Sequence, residues 1–205
     1  MNNKIKLLIY IMIGLSIQAN ASQIMEEKKK VIIIDPGHGG IDSGTISEDG
    51  VHEKDIVQDI ARNMMVWNKS LLESKYEIYL TRNKDTLISL DDRTKLAKYL
   101  KPHIFISLHC NHISDTTIQG VEIYTYDKNE LSVLVAKEIL IKLNLELGMK
   151  IRRPKQANFQ VLRETMEYSP ALLLELGYLS NTAESEYLRS KENRKALALA
   201  ILMAI

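Results

Sequence analysis

The side chains of this chain best suited to chemistry are His38, Glu53, His109 and Glu175, and each stands where a regular segment begins or ends. His38 sits in Asp35-Pro36-Gly37-His38-Gly39-Gly40, where a proline and three glycines force a tight turn. His109 lies in Ser107-Leu108-His109-Cys110-Asn111, at the end of an apolar stretch. Glu175 is the one charged residue in Leu172-Leu173-Leu174-Glu175-Leu176-Gly177, and Glu53 follows His38 by fifteen residues. Two neutral imidazoles and one carboxylate are a common catalytic zinc set that leaves a position open for water or substrate. Such an ion lowers the pKa of its water toward ~7 and polarises a carbonyl, which is what amide hydrolysis needs. Glu175 is then available as general base, because a carboxylate in an apolar strand has either a raised pKa or a cation beside it.

These residues lie far apart in the chain, so the elements around them must bring them together. Val31 to Ile34 is a β-branched run of the kind buried on both faces of a sheet. From Glu53 to about Leu72, Ile56, Val57, Ile60, Ala61, Met64 and Met65 recur with helical spacing. Tyr76 to Thr81, His103 to Leu108, Val121 to Tyr126, Gln160 to Arg163 and Ala171 to Leu176 read as further strands. Ser89 is the expected N-cap of a helix to Leu100, Leu131 to Leu147 reads as a helix stopped by Gly148, and after the last strand the chain finishes as one or two helices through Ile205. This alternation predicts a single α/β domain, a mostly parallel (mixed) sheet of about six strands with helices on both faces. In such folds ligands bind at the carboxyl ends of strands, which helix N-termini also face. The four residues are therefore expected on one rim.

Each of them, taken alone, has an ordinary structural reading. Histidines are more often surface or satisfied core residues, and His52, His103 and His112 are read that way. His52 (beside Glu53) and His112 (three after His109) stay in reserve as ligands. Glu53 could serve only as a first-turn helix acid. The glycines around His38 lack the Gly-Lys-Ser/Thr ending of a phosphate loop. The joint placement is what favours a metal centre.

Length and composition bound the rest. The chain has 205 residues, 45% of them apolar and 26% charged, enough for one ordered domain. With 27 Lys+Arg against 26 Asp+Glu, the balance gives no reason to expect a nucleic-acid partner. A single cysteine, Cys110, excludes an intrachain disulfide and a multi-cysteine metal site. Lys4 and Lys6, the apolar run Leu7 to Ile17 and Ala19-Asn20-Ala21 read as an export signal with cleavage before Ser22, against an uncleaved N-terminal anchor or a buried helix as the competing reading. The expected organisation is a signal peptide (1–21), a polar tether (22–30) and a catalytic domain (31–205), exported to the periplasm or cell wall without a stable membrane anchor after cleavage. Loss of Lys4 and Lys6 changes the formal charge from +1 to −1.

At these residues the chain resembles the zinc-dependent N-acetylmuramoyl-L-alanine amidases of the amidase-3 type. The resemblance runs through the Asp35–Gly40 turn to Asp42 and Gly44, then Glu53, then Thr81-Arg82 with Asp85, Leu90 and Arg93. It continues in Ser107 to Asn111, Gly120-Val121-Glu122-Ile123-Tyr124, Phe159 with Val161-Leu162-Arg163, and Pro170 through Asn181. It implies cleavage of the amide between N-acetylmuramic acid and the first L-alanine of the peptidoglycan stem peptide. It also implies one Zn2+ on His38, Glu53 and His109, with Glu175 as catalytic acid/base. Arg163 is expected to meet a substrate carboxylate, with a structural ion pair as the competing role, and Arg82 and Arg93 are assigned to structure. Cys110 and His112 depart from the small residues usual there. The stretch Asn111 to Gly120 is too short for the plugging helix of some division amidases, so no such autoinhibition is expected. A zinc exopeptidase acting on wall peptides and a non-catalytic wall-binding protein are the alternatives.

Overall fold

The computed structural model describes residues 29–126 and 130–205. The expected signal peptide and all but the last two residues of the tether lie outside them. In chain order the elements are β1 (Lys30–Pro36), α1 (Glu53–Ser70), β2 (Tyr76–Leu80), α2 (Leu90–Leu100), β3 (Ile104–Asn111), β4 (Glu122–Thr125), α3 (Glu130–Leu147), β5 (Lys155–Gln156), α4 (Gln160–Thr165), β6 (Ala171–Tyr178), α5 (Thr182–Arg189) and α6 (Lys191–Met203). The six strands form one sheet in the order β2-β1-β3-β6-β4-β5. β2, β1, β3 and β6 run parallel, and β4 pairs antiparallel to β6. None of the described helices is long and apolar enough to cross a membrane.

Alternation along the central strands divides the core into two layers. Ile32 and Ile34, Ile104, Ile106 and Leu108, and Leu172, Leu174 and Leu176 point to one face, where α1, α3, α5 and α6 cover them. Ile33, Phe105, Ala171 and Leu173 point to the other, under Ala97 of α2 and Val161 and Leu162 of α4. The same period carries Asp35, Ser107, His109 and Glu175 onto the α2/α4 side, because each stands an even number of residues from a member of that second cluster. Strand register then sets His109 directly beside Glu175 across β3 and β6.

One expected strand is a helix. Gln160–Thr165 is α4, and it buries Val161, Leu162 and Thr165. A strand would send Val161 and Leu162 to opposite faces, whereas helical spacing puts both against the sheet. The sixth strand is instead β5, two exposed polar residues held by pairing with β4. The remaining elements fall within a few residues of expectation. Ser89 does cap α2, its side chain accepting from the Asp92 amide.

A buried ion pair locks β1 to the second layer. Arg93 donates to Asp35 Oδ1 at 2.6 Å, with side chains only 4% and 1% exposed, and Asp35 also accepts from Ser107 and Thr81. Removing one partner of such a pair strands the other charge in the core. Arg93→Met is expected to lower folding stability by about 3 kcal/mol, read as a reduced midpoint in urea unfolding.

Candidate active site

The turn after β1 is built to present His38. His38 itself adopts φ 57°, and Gly39, Gly40 and Gly44 also have positive φ, a region costly for most side chains. Two arginines clamp this backbone from beneath. Arg82 donates to the carbonyls of Pro36, Gly37 and Lys54, and Arg93 to those of Pro36 and His38. Both therefore hold structure, as expected.

Glu53 begins α1 and reaches over the carboxyl ends of β1 and β3. Its Oε1 lies 3.1 Å from His38 Nε2 and 2.9 Å from His109 Nδ1. The amide of Cys110 donates to Oε1 and that of Thr45 to Oε2, each at 2.9 Å, so the carboxylate is fixed on both oxygens. The two imidazoles meet edge-on, with centroids 4.9 Å apart. One ligand atom from each of His38, Glu53 and His109 falls within 4.8 Å of the others, a spacing that could hold a metal ion. Of the reserve ligands, His52 is the N-cap of α1 and His112 lies exposed beyond β3, and neither joins the cluster. His103 accepts from the Val31 amide at the start of its strand.

Asp42 completes the arrangement, with Oδ2 2.9 Å from His38 Nδ1. A carboxylate there holds the proton on Nδ1 and leaves Nε2 as a lone pair facing Glu53. Lone pair against carboxylate is repulsive unless a proton or a cation lies between them. Burial lowers the pKa of His38, but Glu53 and Asp42 outweigh it and raise the pKa above its ordinary value. Burial likewise opposes the charge on Glu53, yet hydrogen bonds and attraction from His109 and His38 hold its pKa at about 2. The cluster thus favours positive charge at its centre, as a divalent cation site must.

Two glycines make room for it. A Cβ on Gly37 would lie 2.3 Å from His109 Cε1, and one on Gly44 2.5 Å from Glu53 Oε2 and 2.6 Å from His38 Cδ2. The backbone therefore approaches all three side chains more closely than any other residue allows. Gly37→Ala is expected to displace the His109 ring and cut turnover by about 10²-fold, with unchanged circular dichroism. Wild-type rates in that variant would contradict the close packing.

Glu175 stands beside the cluster with Oε2 buried and without a hydrogen-bond partner among the described residues. Burial, opposed by His109 and reinforced by Glu53 and Glu122, pushes its pKa up to about 7. Glu122 lies directly across β4 from Glu175 and is 1% exposed, with Lys155 at 2.9 Å, Arg152 at 3.4 Å and the Tyr178 hydroxyl at 3.2 Å. His38, His109 and Glu175 open onto one cleft of about 700 Å³, lined also by Leu87, Leu90, Phe159 and Val161 and by the polar Ser89, Asp92 and Gln160. Arg163 is not brought to this cleft. It donates to Asn158 Oδ1 at 2.7 Å and lines a neighbouring groove with Lys95, Lys98 and Glu164. The connection from Asn111 to Val121 carries no helix that could fill the cleft.

Sequence reasoning gave no role to Asp42, although its place four residues after His38 in a glycine-rich turn is a usable signal. It also missed the closeness of Gly37 and Gly44 to the cluster, which no spacing rule reveals.

Known proteins share this arrangement of elements. The profile of the N-acetylmuramoyl-L-alanine amidase family matches residues 32–205. A protein of Staphylococcus saprophyticus described as a probable cell wall amidase, LytH, is 32% identical over 191 residues, covering 92% of this chain and 62% of its own. The chain thus spans about three fifths of the length of that relative. Among solved structures, an N-acetylmuramoyl-L-alanine amidase from Clostridium difficile 630 superposes with TM-score 0.81 at 29% identity, over 87% of this chain and 95% of that one. The catalytic domain of CwlV from Bacillus (Paenibacillus) polymyxa var. colistinus gives 0.77 at 32% identity, over 85% and 95%.

Proposed function

The chain belongs to the N-acetylmuramoyl-L-alanine amidase family, and from that premise we propose that it hydrolyses the amide between N-acetylmuramic acid and L-alanine in peptidoglycan, using one zinc ion. The observation that carries this reading is Glu53 Oε1 shared between two imidazoles, next to a buried glutamate whose Oε2 has no partner. His38, Glu53 and His109 would hold the metal, and their two nitrogens and one oxygen suit zinc. The site's place of work is the cell wall, reached by export to the periplasm or the exterior.

Bound there, zinc supplies Lewis-acid polarisation of the scissile carbonyl and a more acidic water. The chain's own groups do the rest. Asp42 fixes the tautomer of His38, and the amides of Cys110 and Thr45 keep Glu53 from rotating. Glu175, held among apolar neighbours in β6, takes the proton of the attacking water and returns it to the departing amine of L-alanine. Val161 and Leu173 line the same cleft. Arg163, one groove removed, is assigned to a carboxylate farther along the stem peptide. Arg163→Ala should therefore raise KM severalfold and leave kcat near wild type.

Incubation with purified sacculi, with and without a chelator, tests the reading. An amidase releases intact stem peptides that begin with L-alanine and leaves the glycan strands whole, and chelation stops it. Progressively shortened peptides would indicate a zinc exopeptidase instead. Binding without any product would indicate a wall-binding protein.

A further inference from the structure

Glu175 has His109 on one side, across β3, and a second buried acid on the other. Glu122 of β4 stands directly opposite Glu175 in the antiparallel register, so the two side chains leave the same face of the sheet one strand apart. Like charges in that relation repel and weaken a sheet. Glu122 is nevertheless held as a carboxylate: burial opposes its charge, but hydrogen bonds from Lys155 and Tyr124 outweigh burial and keep its pKa below the ordinary range. Its Oε1 receives Lys155 Nζ at 2.9 Å, the Tyr178 hydroxyl at 3.2 Å and Arg152 at 3.4 Å, and its Oε2 receives the Tyr124 hydroxyl. Four donors thus converge on Glu122, while Oε2 of Glu175, one strand away, has no partner among the described residues. Apolar side chains at these positions would pack β4 on β6 without burying any charge, so stability alone does not account for the network.

We propose that Glu122 is a positioning residue that keeps the carboxylate of Glu175 turned toward the metal cluster. One charge does this in two ways. It repels Glu175 from the β4 side, and it occupies Lys155 and Arg152, the cations that would otherwise capture a neighbouring carboxylate. Directly opposed residues have Cβ atoms only about 4.5–5.5 Å apart, so both long side chains can reach Glu175 once Glu122 no longer holds them. An ion pair to either would turn the general base away from the attacking water and tie up its lone pairs. With Glu122 charged and its own donors engaged, the favourable direction for Glu175 is toward His109 and the cation proposed for the cluster. The inference rests on Glu175 as the proton acceptor of the reaction proposed above.

Steady-state hydrolysis of a soluble N-acetylmuramoyl peptide by the zinc-loaded chain tests the proposal. Glu122→Gln should lower kcat about tenfold, with KM and bound zinc unchanged. The triple variant Glu122→Gln/Arg152→Gln/Lys155→Gln removes the freed cations together with the acid and should recover most of that loss. A merely structural network would instead suffer further from the added substitutions. In a Glu175→Gln background there is no carboxylate to misdirect, so adding Glu122→Gln should lower the residual rate no further. The side chains of Lys155 and Arg152 are 48% and 35% exposed, so water can take over their charges and folding is expected to survive. Should Glu122→Gln fail to fold, Glu122→Gln/Arg152→Gln, which leaves only the more exposed cation unpaired, takes its place in the comparison with the triple variant. A wild-type kcat in Glu122→Gln overturns the proposal, and so does a triple variant no faster than the variant it is compared with. Near-normal turnover in Glu175→Gln alone would overturn the mechanism beneath it as well.

Discussion

Glu175→Gln should leave the metal content of the protein unchanged and lower kcat by about 10²–10⁴-fold. The amide has nearly the shape of the carboxyl group and enters the same apolar stretch of β6, so neither packing nor the ligand cluster is disturbed. What disappears is the ability to accept a proton. The rate of the wild type should carry the same signature. Without metal, burial holds the pKa of Glu175 at about 7, and a cation at the neighbouring cluster moves it below that value. A general base works only when ionised, so kcat/KM should fall as pH drops through this lowered pKa and level off above it. In Glu175→Gln the acidic limb should vanish from the residual rate. A variant with near-normal turnover would remove Glu175 from the mechanism.

The second large effect is expected at His109. Replacement by Ala deletes one of the three proposed ligands and leaves Glu53 Oε1 with a single imidazole neighbour. Bound zinc should fall from one per chain to well below one at low micromolar free metal, and activity should fall with it. The loss differs from that in Glu175→Gln because it is partly recovered by excess zinc. His38→Ala should behave alike. His112→Ala should change neither metal content nor rate, since His112 lies outside the cluster. Unaltered zinc in His109→Ala would exclude that ring as a ligand.

Much of this site was legible in the chain before folding, and the reason is local. A glycine-rich turn after a β-branched run, or one acid in a leucine string, announces itself without knowledge of tertiary structure. The rule that strand ends gather on one rim then joins four distant residues. Two failures show where local reading ends. Gln160 to Arg163 is too short for its period to separate strand from helix, and only the burial of both Val161 and Leu162 against one sheet face decides it. β5 carries no hydrophobic signal, and its strand character comes entirely from pairing with β4. Arg163 illustrates a third limit, since a motif can place a residue near a site in sequence while the helix turns it into the next groove. The exposure of Leu131, Leu134, Ile141 and Leu145 on α3 belongs to the same class, because periodicity marks the helix but not which of its apolar faces meets the sheet.

The central claim is that His38, Glu53 and His109 share one divalent cation. Anomalous diffraction at the zinc edge, from crystals of the zinc-loaded protein, addresses it directly. The account predicts a single strong peak within bonding distance of all three side chains and adjacent to Glu175. A peak elsewhere, or none between the two imidazoles in protein that contains stoichiometric zinc, would contradict it.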